Sequence, residues 1–365
     1  MKKIVAGMLL LMLSLMMACS GQSSESVSTK DNGNSRASDS SSQEGQQAAE
    51  AIELTIASVW PGPHGQHVQV VEPLMEEIEK VTEGRITATL YPAGGLGAPS
   101  ETYDMTVTGI ADIGYGLHNT TPGVFHLVSV NSLPFIGDSA INGTEISNAL
   151  LKTFSEEFEA EHDGTKIAYL WIGDGENVFT VDKPIHKPED LQGLRISLTP
   201  SPTGNAFLEA FGAIPVTLPM GEVYEAMQRG IVDGALANGS TIPNFQLGDV
   251  AGHITRLNLV LPTFFCVINE DTWSQISTDD QAALEELFAA YGLKHAEAYD
   301  SLAEEGWRMA EEKGVEIFDI PEEEKHLWEN PLQPVADEWI ESIEAMGLPG
   351  REVYEEVLRL KETLD

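Results

Sequence analysis

Ile52-Glu53-Leu54-Thr55-Ile56 sets Ile52, Leu54 and Ile56 alternating with Glu53 and Thr55, the two-residue period of a half-buried strand. Trp60-Pro61-Gly62-Pro63 then breaks the chain. Val68, Val71, Met75, Ile78 and Val81 follow at helical spacing, with the carboxylates Glu72, Glu76, Glu77 and Glu79 between them. Glu83-Gly84 ends that helix, and Ile86, Ala88 and Leu90 give a second strand closed by Pro92 and Gly94-Gly95. A helix from Thr102 to Thr108 leads into Ala111-Asp112-Ile113-Gly114-Tyr115, a third strand. This βαβα order predicts an α/β fold, a sheet covered by helices on both faces.

Working outward, a second series begins near residue 166. Ile167, Tyr169 and Trp171 alternate, and Val178-Phe179-Thr180 and Leu194-Arg195-Ile196-Ser197 are short strands. Thr203 is placed to cap a helix through Phe211, and Ala213-Ile214-Pro215-Val216 returns as a strand. A short helix over Glu222 to Arg229 and a strand at Val232-Asp233-Gly234-Ala235-Leu236 follow. Apolar strands are expected again at Leu257 to Leu261 and at Phe264 to Ile268. Two such blocks predict two α/β lobes, with the chain crossing between them more than once. From Thr278 the pattern is helical to the end: Thr278 and Gln281 suggest a capping box, and Leu284, Leu287, Phe288, Tyr291, Leu302 and Met309 suit one long apolar stripe.

The 365 residues hold 20 Lys+Arg against 58 Asp+Glu, a formal net charge of −38. A surface this acidic repels nucleic acid and anionic headgroups, so a DNA or RNA partner is not expected. Two cysteines exclude a disulfide scaffold and a Cys-based zinc site. The amino terminus is expected to be a targeting segment: Lys2 and Lys3 precede an apolar run from Ile4 to Met17. That run falls short of the roughly 20 residues that span a bilayer. It ends in Leu15-Met16-Met17-Ala18-Cys19-Ser20, which resembles the bacterial lipobox. The expectation is a lipoprotein signal peptide over 1–18, lipidation of Cys19, and a flexible tether over 19–50 with no apolar periodicity. An ordinary secretory signal cleaved near Ala18 is the alternative. Cys266, in Thr263-Phe264-Phe265-Cys266-Val267-Ile268, reads as a small buried hydrophobe rather than a nucleophile.

Several chemistry-bearing patterns fail on their own terms. His64-Gly65-Gln66-His67 spaces two histidines three apart without a matching acidic or Cys ligand, so no metal site is expected. Gly173-Asp174-Gly175 lacks the third glycine of a dinucleotide fingerprint and reads as a turn, as does Gly94-Gly95-Leu96-Gly97, which lacks a phosphate-loop lysine. No Gly-x-Ser-x-Gly occurs. No catalytic residue and no cofactor is assigned.

Two phrases carry a family resemblance. One is Pro184-Ile185-His186-Lys187-Pro188-Glu189-Asp190-Leu191-Gln192-Gly193-Leu194-Arg195-Ile196; the other runs Gly221-Glu222-Val223-Tyr224-Glu225-Ala226-Met227-Gln228-Arg229-Gly230-Ile231-Val232-Asp233-Gly234. With Thr121-Pro122-Gly123-Val124-Phe125 and Leu133-Pro134-Phe135 upstream, the chain resembles the solute-binding proteins of TRAP transporters, the DctP type, over about residues 52 to 300. The resemblance implies a two-lobed periplasmic-binding-protein-like fold with hinge strands and a long lobe-spanning helix. It implies lobe I over 52–172 and 262–300, lobe II over 173–261, and C-terminal helices over 301–365 packed across both. It also implies capture of a small organic solute outside the cytoplasm, in the periplasm or at the outer face of the cell membrane. Delivery would be to the small and large integral membrane subunits of a sodium-coupled transporter. An ABC-type or sensor-linked binding protein, and an enzyme on an α/β frame, are the competing classes.

The chain departs from the family where ligand charge is set. Most members carry a carboxylate-binding arginine in the strand after Gly-Leu-Lys-Ile, and Ser197 stands there; many carry another in the loop after the Trp171 strand, where Glu176 aligns, or Asn177 after a one-residue slip. Arg195 lies two residues before Ser197, about 7 Å back along the strand. The expected ligand is therefore cationic or neutral polar, an amine or amino alcohol, with an organic acid held through Arg195 as the alternative. Further pocket candidates come from strand ends: Trp60, Tyr115, His118, Asn119, Trp171, Asn238 and Phe264. The aromatics among them suit cation–π contacts.

Overall fold

The structure is a computed structural model and describes residues 51–364. The expectations for the signal segment, Cys19 and the tether lie outside the described residues. Eleven strands occur among them: β1 (Ile52–Ser58), β2 (Ile86–Tyr91), β3 (Ile113–Leu117), β4 (Thr165–Ile172), β5 (Glu176–Thr180), β6 (Arg195–Leu198), β7 (Ile214–Thr217), β8 (Gly234–Asn238), β9 (His253–Arg256), β10 (Thr263–Asn269) and β11 (Glu316–Asp319).

They form two sheets. The first has the order β2-β1-β3-β10-β4 and the second β11-β9-β5-β8-β6-β7. In the first, β1 is parallel to β2 and β3, while β10 runs antiparallel to both β3 and β4. In the second, β6 is parallel to β7 and β8, and β5 is antiparallel to β8 and β9. Each sheet is sandwiched. Leu54, Ile56, Tyr115, Trp171, Phe264 and Cys266 point to one side of the first sheet, and Leu170, Phe265 and Val267 to the other. Val178, Ile196, Leu198 and Leu236 pack on one side of the second sheet, and Phe179, Ala235 and Ala237 on the other. This is the α/β, two-sheet architecture that the alternating strands and helices imply. Cys266 is 1% exposed and inert in the core.

The chain passes from sheet to sheet at 173–175 and again at 257–262. The two passages lie against each other. A Cβ on Gly175 would sit 2.7 Å from the Asn258 Cα, and one on Gly173 would sit 2.9 Å from Pro262 Cγ and 3.0 Å from Phe264 Cε2. Glycine is required at both positions because any side chain would push the crossings apart. Leu257 to Leu261 is accordingly no strand: Leu257 N–H donates to Asn177 Oδ1 at 2.8 Å and Leu259 N–H to the Glu176 carbonyl at 2.9 Å. The ladder residues are the more polar His253–Arg256 just before it.

The helix Tyr291–Glu312, 22 residues and about 33 Å long, ties the halves together. Gly292 abuts the Leu170 carbonyl of β4, and Gly306 abuts the Gly239 carbonyl just beyond β8. Small residues at those two turns let one helix lie against both sheets. The C-terminal region is not all helical, because β11 adds an edge strand parallel to β9. Two caps also differ from expectation. Ser201, not Thr203, accepts from Gly204 N–H ahead of Pro202–Ala210, and Ser277 accepts from Asp280 N–H ahead of Thr278–Phe288. Each serine stands immediately before its helix, where extended backbone lets the hydroxyl reach back to the N3 amide.

Candidate ligand-binding site

The first crossing carries two carboxylates around one glycine: Asp174-Gly175-Glu176. Glu176 opens β5 opposite Asn238, the last residue of β8. Its backbone is fixed on both sides, donating to the Val260 carbonyl at 2.8 Å and accepting from Leu259 N–H at 2.9 Å. Asp174 Oδ2 accepts from Ser240 N–H at 3.0 Å and Oδ1 from the Ser240 hydroxyl at 2.6 Å. The Asn238 amide donates to the Asp174 carbonyl.

Both residues are 5% exposed, and neither has an ion-pair partner among the described residues. Glu176 Oε2 is buried with no hydrogen-bond partner among the described residues. Burial pushes Asp174 up to about 7 against the bonds from Ser240, with the charge of Asp300 adding to the rise. Burial, then the charge of Asp174, pushes Glu176 up to about 7. An isolated carboxylate in such surroundings is costly unless a cation or a proton compensates it.

An aromatic wall adjoins Gly173 and Asp174. Gly173 touches Phe264, whose ring stacks on Trp171 (5.3 Å, 8°) and on Tyr299 (5.3 Å, 24°). Trp60 packs beside Phe264 (5.7 Å) and Trp171 (6.0 Å) and stacks on His64 (5.4 Å). His295 stacks on Trp171 at 4.2 Å. Burial, and then the charge of Asp174, holds the Tyr299 hydroxyl protonated well above its usual range. The neighbouring histidines supply no charge. Burial first and then His67 lower His64 to about 3, and burial first, with His67 and His64 behind it, holds His295 far below its usual range. No group of three or more His, Cys, Asp or Glu suited to a metal occurs among the described residues.

The structure sorts the sequence candidates. Trp60, Tyr115, Trp171 and Phe264 meet on one face of the first sheet. Glu176 and Asn238 pair at the strand ends beside Asp174. Asn119 donates to the Pro200 carbonyl at 2.6 Å and so links the first sheet's loop to the second sheet's. His118 turns to the opposite face of the first sheet, with Phe125 at 4.7 Å, Phe265 at 5.2 Å, and its Nε2 3.2 Å from His162 Nε2.

Ser197 is fully buried and in register with Ala235. Strand alternation puts it on the Phe179 and Ala235 face, whereas Glu176 shares the face of Val178 and Leu236. The two positions behind the expectation about ligand charge therefore do not face each other. Arg195 stands at the start of β6, locked to Asp233 through Nε to Oδ2 at 3.0 Å and Nη2 to Oδ1 at 2.6 Å. Asn177 is committed to the crossing, accepting from the Leu257 and Asn258 amides.

The sequence reading passed over Asp174, Ser240 and Tyr299. A Gly-Asp-Gly-Glu run between two strands was the available signal, read only as a turn. Tyr299 stood four residues beyond His295 on the spanning helix. Cavities of about 470, 410 and 640 Å³ lie elsewhere. The first is lined by Phe135, Arg256, Asn258, Trp307, Trp328 and Lys361, among others, and holds none of the sequence candidates. Of its charged residues Arg256 pairs with Asp319 and Lys325 with Glu322, while Lys361 donates to the Phe135 carbonyl; the acid–aromatic cluster is the candidate because it gathers the strand-end residues and holds a buried carboxyl without a partner among the described residues.

Two α/β halves joined by paired crossings and one spanning helix define the class of hinged binding proteins. Residues 56–342 match the family described as "Bacterial extracellular solute-binding protein, family 7" (DctP), and the chain belongs to that family. It is 25% identical over 297 residues to a solute-binding protein of Chromohalobacter salexigens, covering 78% of this chain and 85% of that one. It is 26% identical over 281 residues to the C4-dicarboxylate-binding periplasmic protein DctP of Rhodobacter capsulatus, covering 74% and 81%. A TRAP periplasmic solute-binding protein of Bordetella bronchiseptica, solved with bound (R)- and (S)-mandelate, superposes with a TM-score of 0.78 at 25% identity, covering 86% of this chain and all of that one. Members of this family bind small solutes and work with membrane TRAP subunits. No helix among the described residues is long and apolar enough to cross a membrane.

Proposed function

We propose that this chain captures a small cationic or neutral polar solute, an amine or amino alcohol first, and hands it to the membrane subunits of a TRAP transporter without chemical turnover. The supporting observation is the Asp174–Glu176 pair, buried with no cation partner among the described residues, with Tyr299 close enough to feel the charge of Asp174. An ammonium group would relieve that desolvation. Both acids are buried, so the solute enters as the two sheets separate and is buried when they close. In this reading the halves are 52–172 with 262–300, and 173–261, and a lipid on Cys19 with the 19–50 tether keeps the body at the membrane.

A second reading is an organic acid. The Rhodobacter relative is named for C4-dicarboxylates and the Bordetella structure holds mandelate. Asp174 and Glu176, both raised to about 7, could share protons with an acid under acidic conditions. Arg195, however, is taken by Asp233. A thermal-shift screen at pH 8 separates the readings, since a ligand at about 100 times its Kd adds roughly 2.7 kcal/mol. Amines raising the Tm supports the first reading; carboxylates raising it while amines do not supports the second.

A further inference from the structure

We propose that the site selects a singly charged cation bearing at least one N–H, that Glu176 alone makes the ion pair, and that Asp174 is a positioning carboxyl. This rests on the amine reading and narrows it.

The two carboxyls are not equivalent. Each Asp174 oxygen already accepts from Ser240, and its backbone carbonyl takes the Asn238 amide. Glu176 has its main chain tied to Val260 and Leu259, which fixes where the side chain starts, yet Oε2 is buried and unpartnered. The complement of a lone buried carboxylate oxygen is a charge-assisted N–H donor, the strongest class of neutralising bond. A quaternary ammonium has no such hydrogen and would leave Oε2 unbonded. Nor is there an open cage for it, because Trp60 packs against His64, His295, Phe264 and Trp171 rather than presenting a free face.

A dication fares no better. Glu176 is the only carboxylate of the pair without a hydrogen-bond partner among the described residues, and the remaining acid nearby, Asp300, is spent capping the Ala140 and Ile141 amides at 2.9 and 3.2 Å. The other titratable groups facing the pair are Tyr299 on the spanning helix and, across Trp60, His64, His67 and His295. The tyrosine stays protonated and burial disfavours charge on all three imidazoles, so none competes for the cation.

Isothermal titration of the full chain at pH 8 with ethanolamine, choline, putrescine and benzoate tests this. Ethanolamine is expected to bind at least tenfold more tightly than choline or putrescine. Glu176→Gln should weaken ethanolamine at least tenfold with an unchanged circular dichroism spectrum, while Glu176→Asp retains part of the affinity. Wild-type affinity for ethanolamine should fall as pH falls through about 7. Asp174→Asn, by removing the neighbouring charge, should move that midpoint to lower pH, which a purely structural role would not do. Choline or putrescine matching ethanolamine overturns the selectivity while leaving the amine reading intact. An unmoved midpoint in Asp174→Asn overturns the role of Asp174. Benzoate binding with no heat from any of the cations, or no heat from any probe, overturns the amine reading and this inference together.

Discussion

Replacing Glu176 by Gln should stabilise the ligand-free protein above neutral pH. Burial beside Asp174 raises the Glu176 carboxyl from its usual 4.5 to about 7. Between those values the folded protein holds a proton that the unfolded chain has released, so folding stability falls as pH rises through that window. Above about 7 the full loss has accrued. At about 1.36 kcal/mol per unit it comes to roughly 3 kcal/mol. Glutamine keeps the shape and cannot ionise, so the variant escapes this loss. Below pH 4.5 both forms of residue 176 are neutral, and the two proteins should agree within about 1 kcal/mol. With an unfolding entropy of about 2.1 cal/mol/K per residue over a body of this size, 3 kcal/mol corresponds to roughly 5 °C. Calorimetric melts of both proteins at pH 4.5 and pH 8 measure it. A Glu176→Gln variant that melts at or below wild type at pH 8 would refute the reasoning, because it would mean that the native carboxylate is already compensated.

Two further expectations follow from particular contacts and a third from the amino-terminal sequence. Gly175→Ala would drive a Cβ to 2.7 Å from Asn258 Cα, so chemical denaturation should show a loss of about 1 to 3 kcal/mol, and a neutral result would mean that the crossings do not pack as described. Asn119→Ala removes the 2.6 Å bond to Pro200, and about 1 kcal/mol of support for closure should go with it. Small-angle scattering should then show a larger radius of gyration in the ligand-free variant, and an unchanged radius counts against Asn119 as a latch. Cys19→Ser should release the protein from the membrane fraction, with mass spectrometry of the wild type showing a diacylglyceryl-modified Cys19; a wild-type amino terminus downstream of Cys19 contradicts this.

Much of the frame was legible because strand alternation and helical spacing are local. Ile52, Leu54 and Ile56, or Ile167, Tyr169 and Trp171, announce their strands with no knowledge of the partner. What escaped depends on distant chain. Leu257 to Leu261 is apolar enough for a strand, but its amides go to Asn177 and Glu176 at the sheet-to-sheet passage. β11 has only four residues with exposed acids at both ends, so nothing local separates it from the helices around it; its identity comes from pairing with β9. At the site, Glu176 was legible as an oddity against the family pattern. Its relation to Asp174 and Tyr299 was not, since burial at 174–176 is imposed by the second crossing and by the spanning helix. Ser197 shows the reverse limit: its place in the family pattern is plain from the sequence, whereas the sheet face it occupies depends on its register with Ala235 of β8.

The most direct test of the account is a crystal structure of the protein with its solute bound. A closed form is expected in which a cationic nitrogen lies within hydrogen-bond distance of Glu176 Oε2, next to Asp174. A bound carboxylate at that position, or a solute seated instead in the 470 Å³ cavity beside Arg256 and Trp328, would contradict it.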